Sequence, residues 1–359
     1  MERRCTRRVW VGGVPVGGGA DVSVQSMTET STSDVAATVG QIKRLEAAGC
    51  DIVRVAVPDM SAARAVSEIK RSISIPLVAD VHFDHRLAVA ALESGADKLR
   101  INPGNIGSER KVREVAKAAK ERGVPIRVGV NAGSIDRSRY GLPGARALVE
   151  SALDEVRTLE RLGFEDIVIS LKAFDVPMTI EAYRLASSLC DYPLHLGVTE
   201  SGLPWEGSIR SSVGIGALLA EGIGDTLRVS LTADPVEEVK VGIEILNVLN
   251  LRRKPFTIIS CPTCGRCRID VASIAAEVRS RLESSPPARP ITVAVMGCVV
   301  NGPGEASLAD VGIAGGKRIG AVFAGGVMLR KVPESALVDE LMREVEKLAG
   351  SPQAREGED

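Results

Sequence analysis

From about residue 22 to residue 250 the chain alternates short runs rich in Val, Ile and Leu with longer amphipathic stretches. The apolar runs are 22–25, 52–57, 77–80, 98–101, 126–130, 167–171, 194–198 and 226–230. Between and after them, apolar positions recur at helical spacing over 34–48, 60–72, 86–94, 108–122, 145–162, 180–189, 208–221 and 235–249. Several helical stretches end at a glycine, as at Gly49, Gly95, Gly123 and Gly163, where a left-handed cap turns the chain toward the next strand. Eight strand–helix units in roughly 230 residues predict a closed (β/α)8 TIM-type barrel. A doubly wound open sheet is the competing arrangement. It requires a Gly-rich turn after the first strand, and Ser26-Met-Thr-Glu-Thr30 offers none.

Beyond 255 the pattern changes. Strands are expected at 256–260, 291–296, 310–314, 318–323 and 327–332, and helices at 269–282 and 334–348. A Ser/Pro-rich turn spans 284–290 and a loop spans 297–305. The expected organisation is a barrel over 1–253, which binds the substrate, a small α+β domain over 254–350, and a polar, disordered tail over 351–359. Apolar residues make up 45% of the 359, ample for a core, but aromatics only 3%, so that core is built from Val, Ile, Leu and Ala.

Candidate chemistry appears first at the C-terminal ends of the barrel strands, where such barrels place their active sites. Arg54 lies in the second strand. Asp80 and His82 end the third, Arg100 and Asn102 the fourth. Arg127 and Asn131 lie in the fifth. Ser170 and Lys172 end the sixth, His195 opens and Glu200 closes the seventh, and Arg228 and Ser230 end the eighth. Side chains two apart on a strand share a face. The apolar residues between these pairs pack outward on helices, so the polar ones point inward. Five strands then aim Arg or Lys at one cavity, and burying that charge alone is prohibitive. The cavity is expected to take a polyanion such as a phosphate or diphosphate ester, whose oxygens suit the arginine fork. Each residue also has an ordinary structural reading, such as Arg54 paired with Asp51 or Lys172 with Asp175. The repetition over five strands carries the inference.

Four of the seven cysteines fall within 38 residues: Cys261, Cys264 and Cys267 at C-x2-C-x2-C spacing, then Cys298 in a Gly/Pro-rich loop. The charged N-terminus is followed by no apolar segment of signal-peptide length, so a cytoplasmic location is expected, where thiols stay reduced. Clustered cysteines there read as metal-binding or redox-active. The spacing favours an iron–sulfur cluster. Structural zinc would want a second C-x2-C or an H-x3-H beside Cys298. Spacing alone makes Cys267 a natural fourth ligand. Cys50 and Cys190 read as small buried hydrophobes, and Cys5 is given no role. A formal net charge of −1 gives nucleic-acid binding no support, and no apolar stretch is long enough for a membrane span.

The same residues carry a resemblance. Val24-Gln-Ser-Met-Thr28, Asp51-Ile-Val-Arg-Val55, Ala79-Asp-Val-His-Phe-Asp84 and Leu99-Arg-Ile-Asn-Pro-Gly-Asn105 match one family in order. So do Arg127-Val-Gly-Val-Asn131, His195-Leu-Gly-Val-Thr-Glu200, Arg228-Val-Ser-Leu-Thr232, Cys261-Pro-Thr-Cys-Gly-Arg266 and Met296-Gly-Cys-Val-Val-Asn-Gly-Pro-Gly-Glu305. The chain resembles the 4-hydroxy-3-methylbut-2-en-1-yl diphosphate synthases of the non-mevalonate isoprenoid pathway. The resemblance implies reductive ring opening of 2-C-methyl-D-erythritol 2,4-cyclodiphosphate, with electrons from reduced flavodoxin or ferredoxin. It implies a homodimer in which the cluster domain of one subunit caps the barrel of the other. It implies a [4Fe-4S] cluster held by Cys261, Cys264, Cys298 and Glu305, leaving Cys267 a bystander. A carboxylate ligand can yield an iron site to a substrate oxygen, where a fourth thiolate would close the cluster. Glu305 and Asn301 are then catalytic, with Glu200 the candidate general acid. The substrate ligands are Arg54, Asp80, His82, Arg100, Asn102, Arg127, Asn131, Lys172, His195, Arg228 and Ser230. Phe174 stands where the family often has Ser.

Overall fold

The computed structural model describes residues 2–101, 106, 108–298, 300 and 302–350. The expected positions Asn102 and Asn301, and the tail 351–359, lie outside them. The chain divides after Arg252 into two compact units.

In the first unit eight strands form one parallel sheet. They are β3 (Ser23–Met27), β4 (Ile52–Ala56), β5 (Leu77–Asp80), β6 (Lys98–Ile101), β7 (Ile126–Asn131), β8 (Ile167–Lys172), β9 (His195–Leu196) and β10 (Thr226–Leu227). Their order, β8-β7-β6-β5-β4-β3-β10-β9, is that of a nearly closed TIM-type barrel. The remaining seam, β8 to β9, is joined by the Ile169–Leu194 bridge and by Ile169 N–H donating to the Pro193 carbonyl at 2.9 Å. Outward residues such as Val53, Val55, Leu99, Ile101, Val128, Ile169 and Leu171 pack against the helices in one continuous apolar shell.

The helices are α1 (Val35–Ala47), α2 (Met60–Ser72), α3 (His85–Glu93), α4 (Glu109–Arg122), α5 (Ala145–Arg161), α6 (Val176–Leu189), α7 (Pro204–Ala220) and α8 (Pro235–Val248). Aspartate starts five of them. Asp34, Asp59, Asp84, Asp175 and Asp234 each accept a backbone N–H of the first turn, which fixes where helix follows strand. α6 and α7 begin about four residues earlier than the apolar periodicity predicts. Both carry Pro in the first turn, where its missing N–H costs nothing. β9 and β10 are shorter than the runs 194–198 and 226–230 suggest. A Cβ at Gly197 would come within 2.6 Å of the Arg228 carbonyl oxygen and of Lys172 Nζ, so the regular ladder ends where these groups crowd in.

An element absent from the sequence expectation closes the N-terminal end. β1 (Val9–Val11) and β2 (Val14–Val16) form an antiparallel hairpin. Its Val11 and Val16 pack on Ile52 and Val78, the lowest inward residues of β4 and β5. The arm before it is anchored by Asp225. That buried carboxylate accepts from Leu194 N–H at 2.9 Å, Thr6 Oγ1 at 3.1 Å and Arg3 at 3.2 Å.

The second unit holds a mixed sheet in the order β11 (Phe256–Ser260), β12 (Ile291–Met296), β13 (Val311–Ala314), β14 (Ile319–Ala324) and β15 (Val327–Pro333). The first three run parallel and the last three antiparallel. α9 (Val271–Ser284) and α11 (Leu337–Gly350) cover one face through Val278, Leu282, Leu337 and Leu341. The expected loop 297–305 is in part helical. α10 (Gly302–Ser307) lies on the other face, where a Cβ at Gly302 would come within 3.1 Å of the Met296 and Ala314 Cβ atoms and Ala306 is fully buried. Small residues let a six-residue helix sit flat on the sheet, which a Gly/Pro count reads as loop.

Asp225→Ala removes the buried anchor, leaves Leu194 N–H without a partner and costs Thr6 Oγ1 its acceptor, although that oxygen still accepts from Gly18 N–H. A loss of about 2–4 kcal/mol is expected, read as a lower urea midpoint. Arg7→Ala breaks the exposed pairs to Asp191 and Glu165 together with the contacts to the Tyr192 hydroxyl and ring, and is expected to cost about 1 kcal/mol in the same assay.

Candidate functional site

The register of the barrel sends one alternate set of side chains to its axis. From the hairpin end upward these are Ser23, Gln25 and Met27 on β3, Ile52 and Arg54 on β4, and Val78 and Asp80 on β5. β6 supplies Lys98 and Arg100, and β7 supplies Arg127, Gly129 and Asn131. The rest are Val168, Ser170 and Lys172 on β8, His195 and Gly197 on β9, and Thr226 and Arg228 on β10. Branched apolar residues usually fill such an interior. Here the apolar side chains are confined to the lowest positions and Met27.

Asp80 is the inward carboxylate. Arg100 Nη1 donates to it at 3.2 Å and to His82 Nε2 at 2.6 Å, and Arg54 Nε lies 3.8 Å from its other oxygen. Burial alone would raise the Asp80 carboxyl. Arg54, the His82 hydrogen bond and Arg100 together hold it below the usual carboxylate range. Glu238 of α8 faces Arg228 at 3.4 Å and also accepts from Leu231 N–H at 2.9 Å.

The cations outnumber these partners. Arg54, Lys98, Arg100, Arg127, Lys172 and Arg228 face the interior together. Arg127 Nη1 donates to Ser170 Oγ at 2.8 Å, but its Nε and Nη2 are buried and unbonded, as is Arg100 Nε. Arg54 turns Nε and Nη2 to the thioether of Met27 at 2.9 and 2.8 Å, and Arg228 reaches the same sulfur at 3.7 Å. Thioether sulfur is a weak acceptor, so these forks keep most of their binding capacity. Burial pushes the Arg54 guanidinium down to about 10. Burial, then neighbouring cations, lowers Lys172 and Arg127 well below their ordinary values. His195 is fully buried with both ring nitrogens unbonded, and burial and the surrounding cations favour its neutral form. Such an interior gains most from an anion with several oxygens.

The two expected ion pairs do not form, whereas His82, which also reads as a structural histidine, is held by Arg100 and Asp80. Asp51 pairs with Arg252 and Val24 N–H rather than Arg54, and Asp175 caps α6 rather than binding Lys172. Asn131 and Ser230 are half-buried near the C-terminal end of the barrel. Glu200 is exposed, has a left-handed backbone with φ of 54°, and forms no ion pair among the described residues. Lys98, Gln25 and Glu238 escaped the sequence reading. Lys98 stands two residues before Arg100 and so shares its face. Glu238 sits on the buried side of a helix, where only the structure gives it a partner.

In the second unit Cys261 and Cys298 lie at the C-terminal ends of β11 and β12. These are paired parallel strands with Ser260 opposite Val295. Cys261 follows one and Cys298 lies just past the other. Gly297 N–H donates to Cys261 Sγ at 3.2 Å, and Arg268 N–H donates to the Gly297 carbonyl at 2.8 Å. A Cβ at Gly297 would collide with Cys267 Sγ and lie 3.5 Å from Cys261 Sγ, so only glycine permits this packing. Cys264 is exposed, and none of the seven cysteines is in a disulfide. Cys267 Sγ donates to the Ile269 carbonyl at 3.1 Å, which directs that thiol to backbone. Glu305 is exposed on α10. Among the described residues no three such side chains stand within metal-holding range. The donor set nonetheless suits an iron–sulfur group: soft thiols at two adjacent strand ends, a backbone N–H on one sulfur, and an accessible carboxylate on the neighbouring helix.

A model of the GcpE TIM-barrel domain matches residues 6–243, and one of the GcpE protein C-terminal domain matches 257–347. The chain belongs to the GcpE family. A relative from Geobacter sulfurreducens is 59% identical over 96% of this chain and 98% of its own length. One from Clostridium perfringens is 58% identical over 97% and 100%. Both are named 4-hydroxy-3-methylbut-2-en-1-yl diphosphate synthase (flavodoxin). Among solved structures, a dihydropteroate synthase from Stenotrophomonas maltophilia superposes with a TM-score of 0.53 at 14% identity, over 68% of this chain and 97% of that one. At that identity it shares the barrel fold with this GcpE chain.

The two outer thiols and Cys267 separate by experiment. Cys261→Ser and Cys298→Ser are expected to lose bound iron and acid-labile sulfide, read by elemental analysis and visible absorption of anaerobically purified protein. Cys267→Ser is expected to keep both at wild-type levels. A colourless Cys267→Ser protein would make Cys267 a ligand.

Proposed function

We propose that this chain opens the ring of 2-C-methyl-D-erythritol 2,4-cyclodiphosphate to give 4-hydroxy-3-methylbut-2-enyl diphosphate. Two electrons and balancing protons enter, and one oxygen leaves as water. The observation that carries the reading is the under-neutralised interior of the barrel, six basic side chains facing Asp80 and Glu238, in a chain 59% identical to a synthase of that product. The unit through Arg252 is the substrate-binding domain, and the following unit carries the cofactor.

Arg54, Arg100, Arg127, Lys172 and Arg228 hold the two phosphoryl groups. Their guanidinium and ammonium donors form charge-assisted hydrogen bonds that replace the thioether contacts. Asp80 and His82 orient Arg100. Asn102, Asn131, His195 and Ser230 set the orientation of the carbon skeleton. Cys261, Cys264, Cys298 and Glu305 hold a [4Fe-4S] cluster, and Asn301 is a further catalytic residue. When bound, the cluster supplies electrons one at a time and an iron site that polarises the departing oxygen. Glu200 delivers the proton that lets this oxygen leave as water, from an exposed position that a capping surface can cover. Reduced flavodoxin is the electron donor, with ferredoxin the alternative. A homodimer places the cluster-bearing unit of one subunit at the barrel of its partner. No helix among the described residues is long and apolar enough to cross a membrane, and we place the protein in the cytoplasm.

Two substitutions test this reading. Charge-assisted bonds are worth ~1.5–3 kcal/mol each, so Arg100→Ala and Arg127→Ala should each weaken cyclic diphosphate binding roughly tenfold to a hundredfold, with iron content unchanged. Unaltered affinity in both, by titration, would remove the anion from the barrel. For Glu200→Gln, turnover should collapse while substrate binding and reduction of the iron chromophore persist. Wild-type turnover at saturating substrate and donor would place the proton elsewhere.

A further inference from the structure

Lys98 opens β6 two residues before Arg100, so the two side chains share the inward face and Lys98 lies one layer deeper. It is fully buried. Its Nζ donates to Gln25 Oε1 at 3.2 Å, and the other amide atom of Gln25, Nε2, has no partner. Around this layer the interior is polar but not anionic. β4 contributes Arg54, β7 Arg127 and β9 His195. β3 and β10 contribute the unbonded hydroxyls of Ser23 and Thr226, and β5 and β8 contribute Val78 and Val168. The charged groups above are Asp80, Arg100, Lys172 and Arg228. Asp80 is taken by Arg54, Arg100 and His82, and Glu238 by Arg228. No carboxylate is bonded to Lys98 among the described residues. The buried polar atoms left unbonded nearby are donor-rich, so the layer gains from negative charge above it and offers none of its own.

Resting on the diphosphate reading, we infer that Lys98 is a positioning residue that couples anion capture to proton uptake, gaining one proton at Nζ as the cyclic diphosphate settles into the layer above. One N–H bond forms, the proton comes from solvent, and no electron moves. Burial, then Arg127 and Arg54, lowers the ammonium well below its ordinary value before the anion arrives. The arriving charge offsets the repulsion from those two arginines, and the restored ammonium strengthens the field that holds the ligand. Linkage fixes the sign. A base whose proton affinity rises on binding takes up protons between its two values, so the anion binds more tightly as pH falls through that window. The coupling also avoids a sixfold cationic interior while the ligand is away.

Calorimetric titration of the anaerobic holoenzyme with the cyclic diphosphate, in buffers of different ionisation enthalpy, reads the proton count. Each phosphoryl group of this ligand carries one strongly acidic oxygen, so the ligand itself does not titrate near neutrality. The wild type should take up about one proton per site, and its affinity should rise up to about tenfold per unit fall in pH within the window. Lys98→Met and Lys98→Gln should still bind but lose the uptake. Lys98→Arg, permanently charged, should bind with none. Wild-type binding without proton exchange overturns the inference and leaves the diphosphate reading intact. So does any uptake that survives in the Lys98 variants, which puts the proton on His195 if it disappears in His195→Asn and on Lys172 if it does not. Failure of the wild type to bind the cyclic diphosphate overturns the diphosphate reading itself.

Discussion

Like charges buried at close range set the terms for the rest of the barrel. Arg54, Lys98, Arg100, Arg127, Lys172 and Arg228 share one interior, and each loses its hydration to enter it. Little favours that arrangement except Asp80, Glu238, His82, a few hydroxyls, amides and a backbone carbonyl, and a thioether. The stabilisation comes from outside it. The outward faces of the same strands are apolar almost without interruption, the hairpin seals the lower end with Val11 and Val16, and aspartate caps fix the start of five helices. A rigid frame keeps the cations where they repel one another, so binding an anion need not first assemble them. That is preorganisation of the kind that lowers the cost of binding charge.

Much of this was legible in the sequence because a strand has a period of two. Asp80 and His82, Ser170 and Lys172, and Arg228 and Ser230 could be assigned a face from spacing alone. Lys98 obeys the same rule but opens its strand, at the end opposite to the one where such barrels place their active sites. Glu238 could not be found that way. It comes from a helix and reaches Arg228 and Leu231 N–H around the end of β10, a contact set by tertiary geometry. The hairpin at 9–16 was missed because three-residue strands carry too little pattern to stand out beside a charged arm. The ends of β9 and β10 were overextended because Val198 and Val229 continue the apolar run while the backbone has already left the ladder.

The cysteine loop shows the opposite balance. Spacing alone pointed to a metal group, yet it ranked Cys267 beside Cys261 and Cys264 with no way to tell them apart. The structure distinguishes them by direction. Cys267 Sγ is bonded to the Ile269 carbonyl, Cys264 is exposed, and Cys261 receives a backbone N–H at its sulfur. Sequence cannot give that direction, because it depends on how Gly297 lets β12 turn beneath two sulfurs.

The barrel also hides its charge. The whole chain carries a formal net charge of −1, although its interior holds six basic side chains and few carboxylates. The remainder of the molecule is therefore more acidic than the total suggests. To a large polyanion such as a nucleic acid, which cannot enter a barrel, this surface is repulsive. A small diphosphate meets the same repulsion at a distance and attraction only at the opening, so size and charge are selected together before any specific contact forms.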